Sequence, residues 1–182
     1  MEDDFYYVLE PAKVGEEAPD FTCDAYHKGN FTKVSLADNK GKWTVLFFYP
    51  LDFTFVCPTE IKGMSQALPE FEKLNAVVIG ASTDSVHSHK AWFERDMPDV
   101  SFPILADTNH QVSQDYGVLQ EDKGIALRGL FIIDPDGVLQ YKVITADNVG
   151  RSVDETLRVL QALQTGGLCP ANWKPGQDTL NV

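Results

Sequence analysis

A chain of 182 residues with 43% hydrophobic and 23% charged residues has the size and make-up of one globular domain that buries a core without disulfide staples. A net charge of −12 and a pI near 4.6 repel phosphate backbones, and no run of Lys or Arg offsets them, which excludes nucleic acid as a partner. No stretch is apolar for long enough to span a bilayer, and the acidic opening MEDDFYY lacks the basic start and apolar middle of a secretory signal, so a cytoplasmic protein with no membrane association is expected.

In chain order, residues 20–26 alternate apolar and polar, a turn-prone HKGN follows, and residues 31–36 continue. This reads as an early hairpin decorating the domain rather than forming its centre. The run WTVLFFY at 43–49 ends at Pro50 and is too short for a helix, so it reads as a strand covered on both faces. From Cys57, the residues Pro58, Ile61, Met64, Leu68, Phe71 and Leu74 fall at helical spacing, with Pro69 expected to kink or interrupt the helix. Residues 76–83 (AVVIGAST) form a second buried strand and 86–95 a second helix, the β-α-β-α order of a partly parallel sheet.

Residues 126–133 and 138–145 flank Asp134-Pro135-Asp136-Gly137, which predicts an antiparallel hairpin around a tight turn. A closing helix over 152–164 has Ser152 as cap, Glu155 three residues on, and Gly166-Gly167 as its stop. Two parallel units, a hairpin and a final helix make a thioredoxin-like α/β fold, a central mixed sheet flanked by helices, with an N-terminal hairpin and an extended tail. Residues 1–166 are expected to be the domain and 167–182 a C-terminal tail. Fold alone does not give function.

The three cysteines, Cys23, Cys57 and Cys169, fit neither a secreted disulfide framework nor a zinc site, so at least one is there for its reactivity. Cys57 lies between the end of a buried strand and the start of a helix, where Pro58 suits the first turn and Glu60 can complete a cap. Free amides and the positive end of the helix dipole converge there and favour a thiolate. Reduction of a peroxide needs such a thiolate, a donor that orients the O–O bond, and positive charge where the leaving oxygen becomes anionic. Thr54, three residues before Cys57, offers a hydroxyl on the same side, and Pro50 an apolar wall without an N–H. Arg128 lies within the apolar run IALRGLFII, where a charge is costly unless paired, and is the candidate cation.

The pattern Pro50, Thr54, Cys57 followed by Pro58-Thr59-Glu60 resembles the peroxidatic motif of peroxiredoxins. With APDFT at 18–22, RGLFIID at 128–134, Gly150-Arg151-Ser152 and Cys169-Pro170-Ala171, the resemblance covers almost the whole chain. It is to typical two-cysteine peroxiredoxins, among them the peroxidase component of bacterial alkyl hydroperoxide reductase. The resemblance implies Cys57 as peroxidatic nucleophile, Thr54 and Arg128 as activators of thiolate and peroxide, Pro50 as shield, and Glu60 and Arg151 as a supporting ionic network.

It further implies that Cys169 of the partner subunit resolves the Cys57 sulfenic acid as an intersubunit disulfide in a homodimer, which can assemble into a decamer ring. The substrate is a hydroperoxide, the reductant thioredoxin or a dedicated flavoprotein disulfide reductase, and neither cofactor nor metal is needed. A disulfide demands α-carbons within about 7 Å, so local unfolding of the first helical turn and of the tail is expected. The eukaryotic Gly-Gly-Leu-Gly segment is absent, residues 120–126 standing in its place, and only residues 170–182 follow Cys169. Quick disulfide formation and resistance to overoxidation are the expectation.

Cys23 shares the alternation of Phe21 and Ala25 and should face the core. His87, His89 and His110 are expected at the surface, because i,i+2 positions on a helix point apart and no second ligand motif supports a metal. Asp84, Asp107 and Asp134 sit at strand ends, where local backbone hydrogen bonds account for them. Trp92 and Trp173 read as packing residues, Trp173 as an anchor of the tail. A disulfide reductase would need a second cysteine one helical turn from Cys57, and none is present. The same cysteines could also serve a chaperone or a peroxide sensor, which reaction rate with peroxide distinguishes.

Overall fold

The structure is a computed structural model and describes residues 11–180; the acidic opening heptapeptide and the last two residues lie outside the described residues. A seven-stranded sheet runs through the molecule in the order β2-β1-β5-β4-β3-β8-β9. Its strands are β1 (Thr22–His27), β2 (Asn30–Ser35), β3 (Trp43–Phe48), β4 (Ala76–Ser82), β5 (Ile104–Ala106), β8 (Arg128–Ile133) and β9 (Leu139–Thr145). Strands β3, β4 and β5 are parallel, and β8, β9, β1 and β2 are added antiparallel. A separate short hairpin joins β6 (Leu119–Gln120) to β7 (Ile125–Ala126), in the region that lacks the Gly-Gly-Leu-Gly segment.

The apolar run of β3 is explained by cover on both faces. Val45, Phe47 and Tyr49 pack on one side with Leu130 and Ile132 of β8, against α1 (Cys57–Lys73), α2 (Val86–Asp96) and α4 (Val153–Gln164). Leu46 and Phe48 pack on the other with Phe131 and Ile133, against α3 (Gln111–Asp115) and the segment that leads into β1. The period of two along β8 therefore puts Arg128 on the face of Leu130 and Ile132, the one α1 covers.

Two sequence expectations need correction, and one strand went unread. The N-terminal hairpin does not merely decorate the domain: β1 pairs with β5 through Ala25↔Leu105 and Tyr26↔Ile104 and extends the central sheet. Strand β5 itself went unread because three residues carry no usable periodicity. Helix α1 also continues past Pro69 to Lys73; its apolar face, with Ile61, Met64 and Phe71 buried, anchors it on both sides of the proline, which lies in the last turns.

The closing helix starts as expected, the Ser152 side chain accepting from the Glu155 amide at 3.1 Å. The reciprocal half of the capping box does not form, because the Glu155 carboxylate is taken by Arg158 at 2.6 and 2.7 Å. Gly166 follows at φ 64°, a left-handed stop. The tail folds back on itself, the Leu180 amide donating to Leu168 O at 2.8 Å. Trp173 is 4% exposed and Arg158 Nη1 donates to its carbonyl at 3.1 Å.

Candidate active site

Strand β3 delivers the chain to Tyr49 and the buried Pro50, a loop over 51–56 crosses the carboxyl end of the sheet, and α1 opens at Cys57. Crevices at the carboxyl ends of parallel strands are where open α/β sheets bind ligands. No side chain caps α1 and Pro58 sits in its first turn, while the Thr59 amide donates to Val56 O at 3.0 Å. Cys57 is fully buried, and Arg128 Nη1 approaches its Sγ to 3.4 Å.

Glu60, Arg128 and Arg151 share one buried network. Arg128 Nη1 also donates to Glu60 Oε2 at 2.6 Å, and its Nε to Asp147 O at 2.7 Å. Arg151 donates to Glu60 Oε1 from its amide at 2.8 Å and its Nε at 2.7 Å, and from Nη1 to Gly129 O. Its guanidinium carbon stands 5.6 Å from the centroid of the Phe47 ring, an attraction that suits the Nη2 left without a hydrogen-bond partner. Burial opposes the charges of both Glu60 and Arg128. Arg151 then Arg128 hold the Glu60 carboxyl below the usual range, while the Cys57 sulfur and Glu60 hold Arg128 above its ordinary value. The result is a fixed cation beside the thiol in a dry site, where electrostatic stabilisation is strongest.

The depressed Glu60 value has a sign. A carboxyl with a folded-state pKa below its unfolded value of about 4.3 contributes stability above that pH and loses it as pH falls through the folded value. Glu60→Gln is expected to cost on the order of 3–5 kcal/mol at neutral pH, because it leaves buried guanidinium groups uncompensated. In urea denaturation the gap between wild type and variant should close below about pH 4.3. A gap that stays constant along the acid limb would show that Glu60 is not the charge holding the two arginines.

The structure brings together Cys57, Arg128, Glu60 and Arg151, and Pro50 is buried after the end of β3. The Thr54 hydroxyl donates to Leu51 O at 2.9 Å, which leaves its oxygen free to accept. Cys169 lies apart, past the end of α4. Its thiol donates to Ala162 O at 3.6 Å and lies 3.4 Å from Thr165 Oγ1, and all three cysteines are free thiols.

Cys23 does face the core, and burial first, then Asp107 and Asp24, push its thiol up to about 12. Iodoacetamide applied to the reduced, folded protein at neutral pH should leave Cys23 unmodified and label it only in denaturant. Labelling of Cys23 at the rate of the half-buried Cys169 would contradict the packing of β1. Among the described residues no group of three or more His, Cys, Asp or Glu could hold a metal, and no helix is long and apolar enough to cross a membrane.

Sequence reasoning missed a second buried cluster beneath the loop. His87 is exposed, but His89 is fully buried, not at the surface. It shares the inward face of α2 with Trp92 and Phe93, the i, i+3, i+4 spacing that was the available signal. His89 Nδ1 lies 2.8 Å from Asp52 Oδ2 and Nε2 lies 3.1 Å from Leu105 O. Asp52 also accepts from Tyr49 Oη and Ser88 Oγ, each at 2.8 Å. The Asp52 amide donates to Asp84 Oδ2 at 2.9 Å, and that oxygen accepts from Ser82 Oγ at 2.7 Å. Asp84 thus does more than the local bonding expected of it, whereas Asp107 and Asp134 serve nearby amides.

A family model described as "AhpC/TSA family" matches residues 14–142, and one described as "C-terminal domain of 1-Cys peroxiredoxin" matches residues 161–181. The putative peroxiredoxin YkuU of Bacillus subtilis is 61% identical over 175 residues, covering 92% of this chain and 97% of that protein. Peroxiredoxin prdx-2 of Caenorhabditis elegans is 55% identical over 181 residues, covering 94% of this chain and 90% of its own. Among solved structures, the reduced 2-Cys peroxiredoxin of Plasmodium vivax superposes with a TM-score of 0.89 at 38% identity, covering 93% of each chain. The Mycobacterium bovis AhpC superposes at 0.82 with 40% identity, covering 91% of this chain and all of that one. With the profile match spanning most of the chain and relatives this similar over nearly all of it, the chain belongs to the AhpC/TSA family of peroxiredoxins.

Proposed function

We propose that this chain is a thiol peroxidase that reduces hydrogen peroxide and organic hydroperoxides through Cys57. The observation that carries this reading is the buried sulfur at the start of α1 with the Arg128 guanidinium 3.4 Å away, a charge kept in place by Glu60. The thiolate attacks one peroxide oxygen, the O–O bond breaks, and the other oxygen takes a proton and leaves as water or alcohol. Sulfur supplies both electrons and becomes a sulfenic acid. Arg128 stabilises the thiolate and the charge on the departing oxygen. Pro50 walls the site, and Thr54 accepts from or donates to the peroxide once the substrate replaces Leu51 O as its partner.

The thiol of Cys169 of the partner subunit then condenses with the sulfenic acid, releasing water and forming an intersubunit disulfide. Thioredoxin or a dedicated flavoprotein disulfide reductase returns both cysteines to thiols. The unit of turnover is a homodimer, which assembles into a decamer ring, and the compartment is the cytoplasm, where such a disulfide is transient and catalytic rather than structural. The test is stopped-flow mixing of the reduced protein with hydrogen peroxide, followed by electrophoresis without reductant. Oxidation orders of magnitude faster than free cysteine, with a covalent dimer as product, is the expected result. Oxidation no faster than free cysteine would overturn the peroxidase reading in favour of a binding or chaperone role.

A further inference from the structure

The residues that shape the peroxide site on the strand side of Cys57 sit on a loop, and the cluster beneath that loop holds it from three directions. Asp52 is the common member. Its carboxylate is fully buried and receives Tyr49 from the end of β3 and Ser88 and His89 from α2, while its amide is tied to Asp84 after β4. Leu105 O, the partner of His89 Nε2, belongs to β5. A backbone carbonyl only accepts, so Nε2 is the donor to Leu105 O, and the other ring nitrogen, Nδ1, lies 2.8 Å from Asp52 Oδ2. Burial, with Asp52 second, pushes the Tyr49 phenol well above its ordinary pKa, so Tyr49 stays a donor. The Asp52 amide and both of its carboxylate oxygens have partners, as a rigid buried network requires.

The next residue shows what the network holds in place. Phe53 has φ 57°, a left-handed conformation that a bulky side chain keeps only where its surroundings over-determine it. Its ring lies 5.7 Å from Trp92 and 5.0 Å from the Arg95 guanidinium carbon, both on α2. Thr54 follows, tied back across Asp52 to Leu51 O, so the turn that carries Thr54 is anchored at Asp52. Arg128 is held separately, by Glu60 and Asp147.

We infer that Asp52, with His89, Tyr49 and Ser88, is a positioning cluster for peroxide reduction, which fixes Pro50 and Thr54 over Cys57 without touching the reacting atoms. It rests on the peroxidase reading of Cys57 and adds residues to that same site. The cluster governs the peroxide-specific part of the rate and leaves the nucleophilicity of the thiolate, set by α1 and Arg128, as it is.

The experiment compares wild type, Asp52→Asn and Ser88→Ala in two reactions of the reduced protein: hydrogen peroxide by stopped flow, and iodoacetamide by mass spectrometry resolved by residue. Asp52→Asn should slow peroxide reduction on the order of 10- to 100-fold, the scale of a sub-ångström to ångström misplacement. Ser88→Ala, which removes one of the donors, should fall between it and wild type. Alkylation of Cys57 should not slow in either, and Cys23 should stay unlabelled, which certifies that the folded core is intact. A folded Asp52→Asn with the wild-type peroxide rate overturns the inference. So does a peroxide loss matched by an equal loss of Cys57 alkylation, or one accompanied by Cys23 labelling, since either would place the effect on the thiolate or on global stability. A wild type no faster than free cysteine overturns the peroxidase reading itself, a result separate from these.

Discussion

Cys57→Ser is expected to reduce peroxide at no more than the uncatalysed rate, with no burst and no covalent dimer afterwards. The network around the sulfur is a device for a thiolate: a serine hydroxyl beside Arg128 keeps its proton at neutral pH, and oxygen cannot accept the peroxide oxygen to give a stable oxidised product. Arg128→Met is the informative companion. It removes the donor 3.4 Å from the sulfur and should slow peroxide reduction on the order of 10²–10³-fold, the range found when one preorganised donor to a developing charge is deleted. Arg128→Lys should not restore the rate. The native side chain serves Cys57 and Glu60 from Nη1 and Asp147 O from Nε at once, and a lysine has a single point charge in place of that planar fork. Stopped-flow traces of the three variants check both statements; a residual fast phase in Cys57→Ser would assign the chemistry to another cysteine.

Much of this was legible in the sequence where a local rule and the fold agree. The run at 43–49 announced a doubly covered strand, Ser152 announced its cap, and Arg128 stood out because charge inside an apolar strand needs a partner. That the partner would be Glu60, 68 residues away, follows only from the parity of β8 and the docking of α1. Strand β5 was illegible because three residues cannot show a period, and with it went the docking of the first hairpin. His89 was misread although its spacing to Trp92 and Phe93 on α2 marked the inward face, and Asp52 was passed over for a different reason. It is an ordinary polar residue in its own segment, and its meaning arises from a contact across 37 residues. Pro69 does not interrupt α1, since tertiary packing along the helix overrides a local breaker near its end.

Cys169→Ser is expected to leave the first reaction of Cys57 with peroxide unchanged and to end turnover after it. In the resting structure the two thiols are separately housed: Cys57 is fully buried at the start of α1, and Cys169 rests against Ala162 O beyond the end of α4. The disulfide proposed with Cys169 of the partner subunit requires α-carbons within about 7 Å, and the expectation is that both housings open to form it. For Cys57 that means the first turn of α1; for Cys169 it means release of a tail pinned by Arg158 to Trp173 O, by Trp173 Nε1 to Gln177 O and by Leu180 to Leu168. Without a resolving thiol the sulfenic acid waits in a peroxide-binding site, where a second peroxide converts it irreversibly to the sulfinic acid. Mass spectrometry after a few equivalents of peroxide should therefore find two added oxygens on Cys57 in Cys169→Ser and few in wild type, and electrophoresis without reductant should lose the covalent dimer. Sustained turnover of Cys169→Ser with thioredoxin, free of sulfinic acid, would remove Cys169 from the cycle and require the reductant to attack the Cys57 sulfenic acid directly, in which case the fold of the tail around Trp173 serves stability alone.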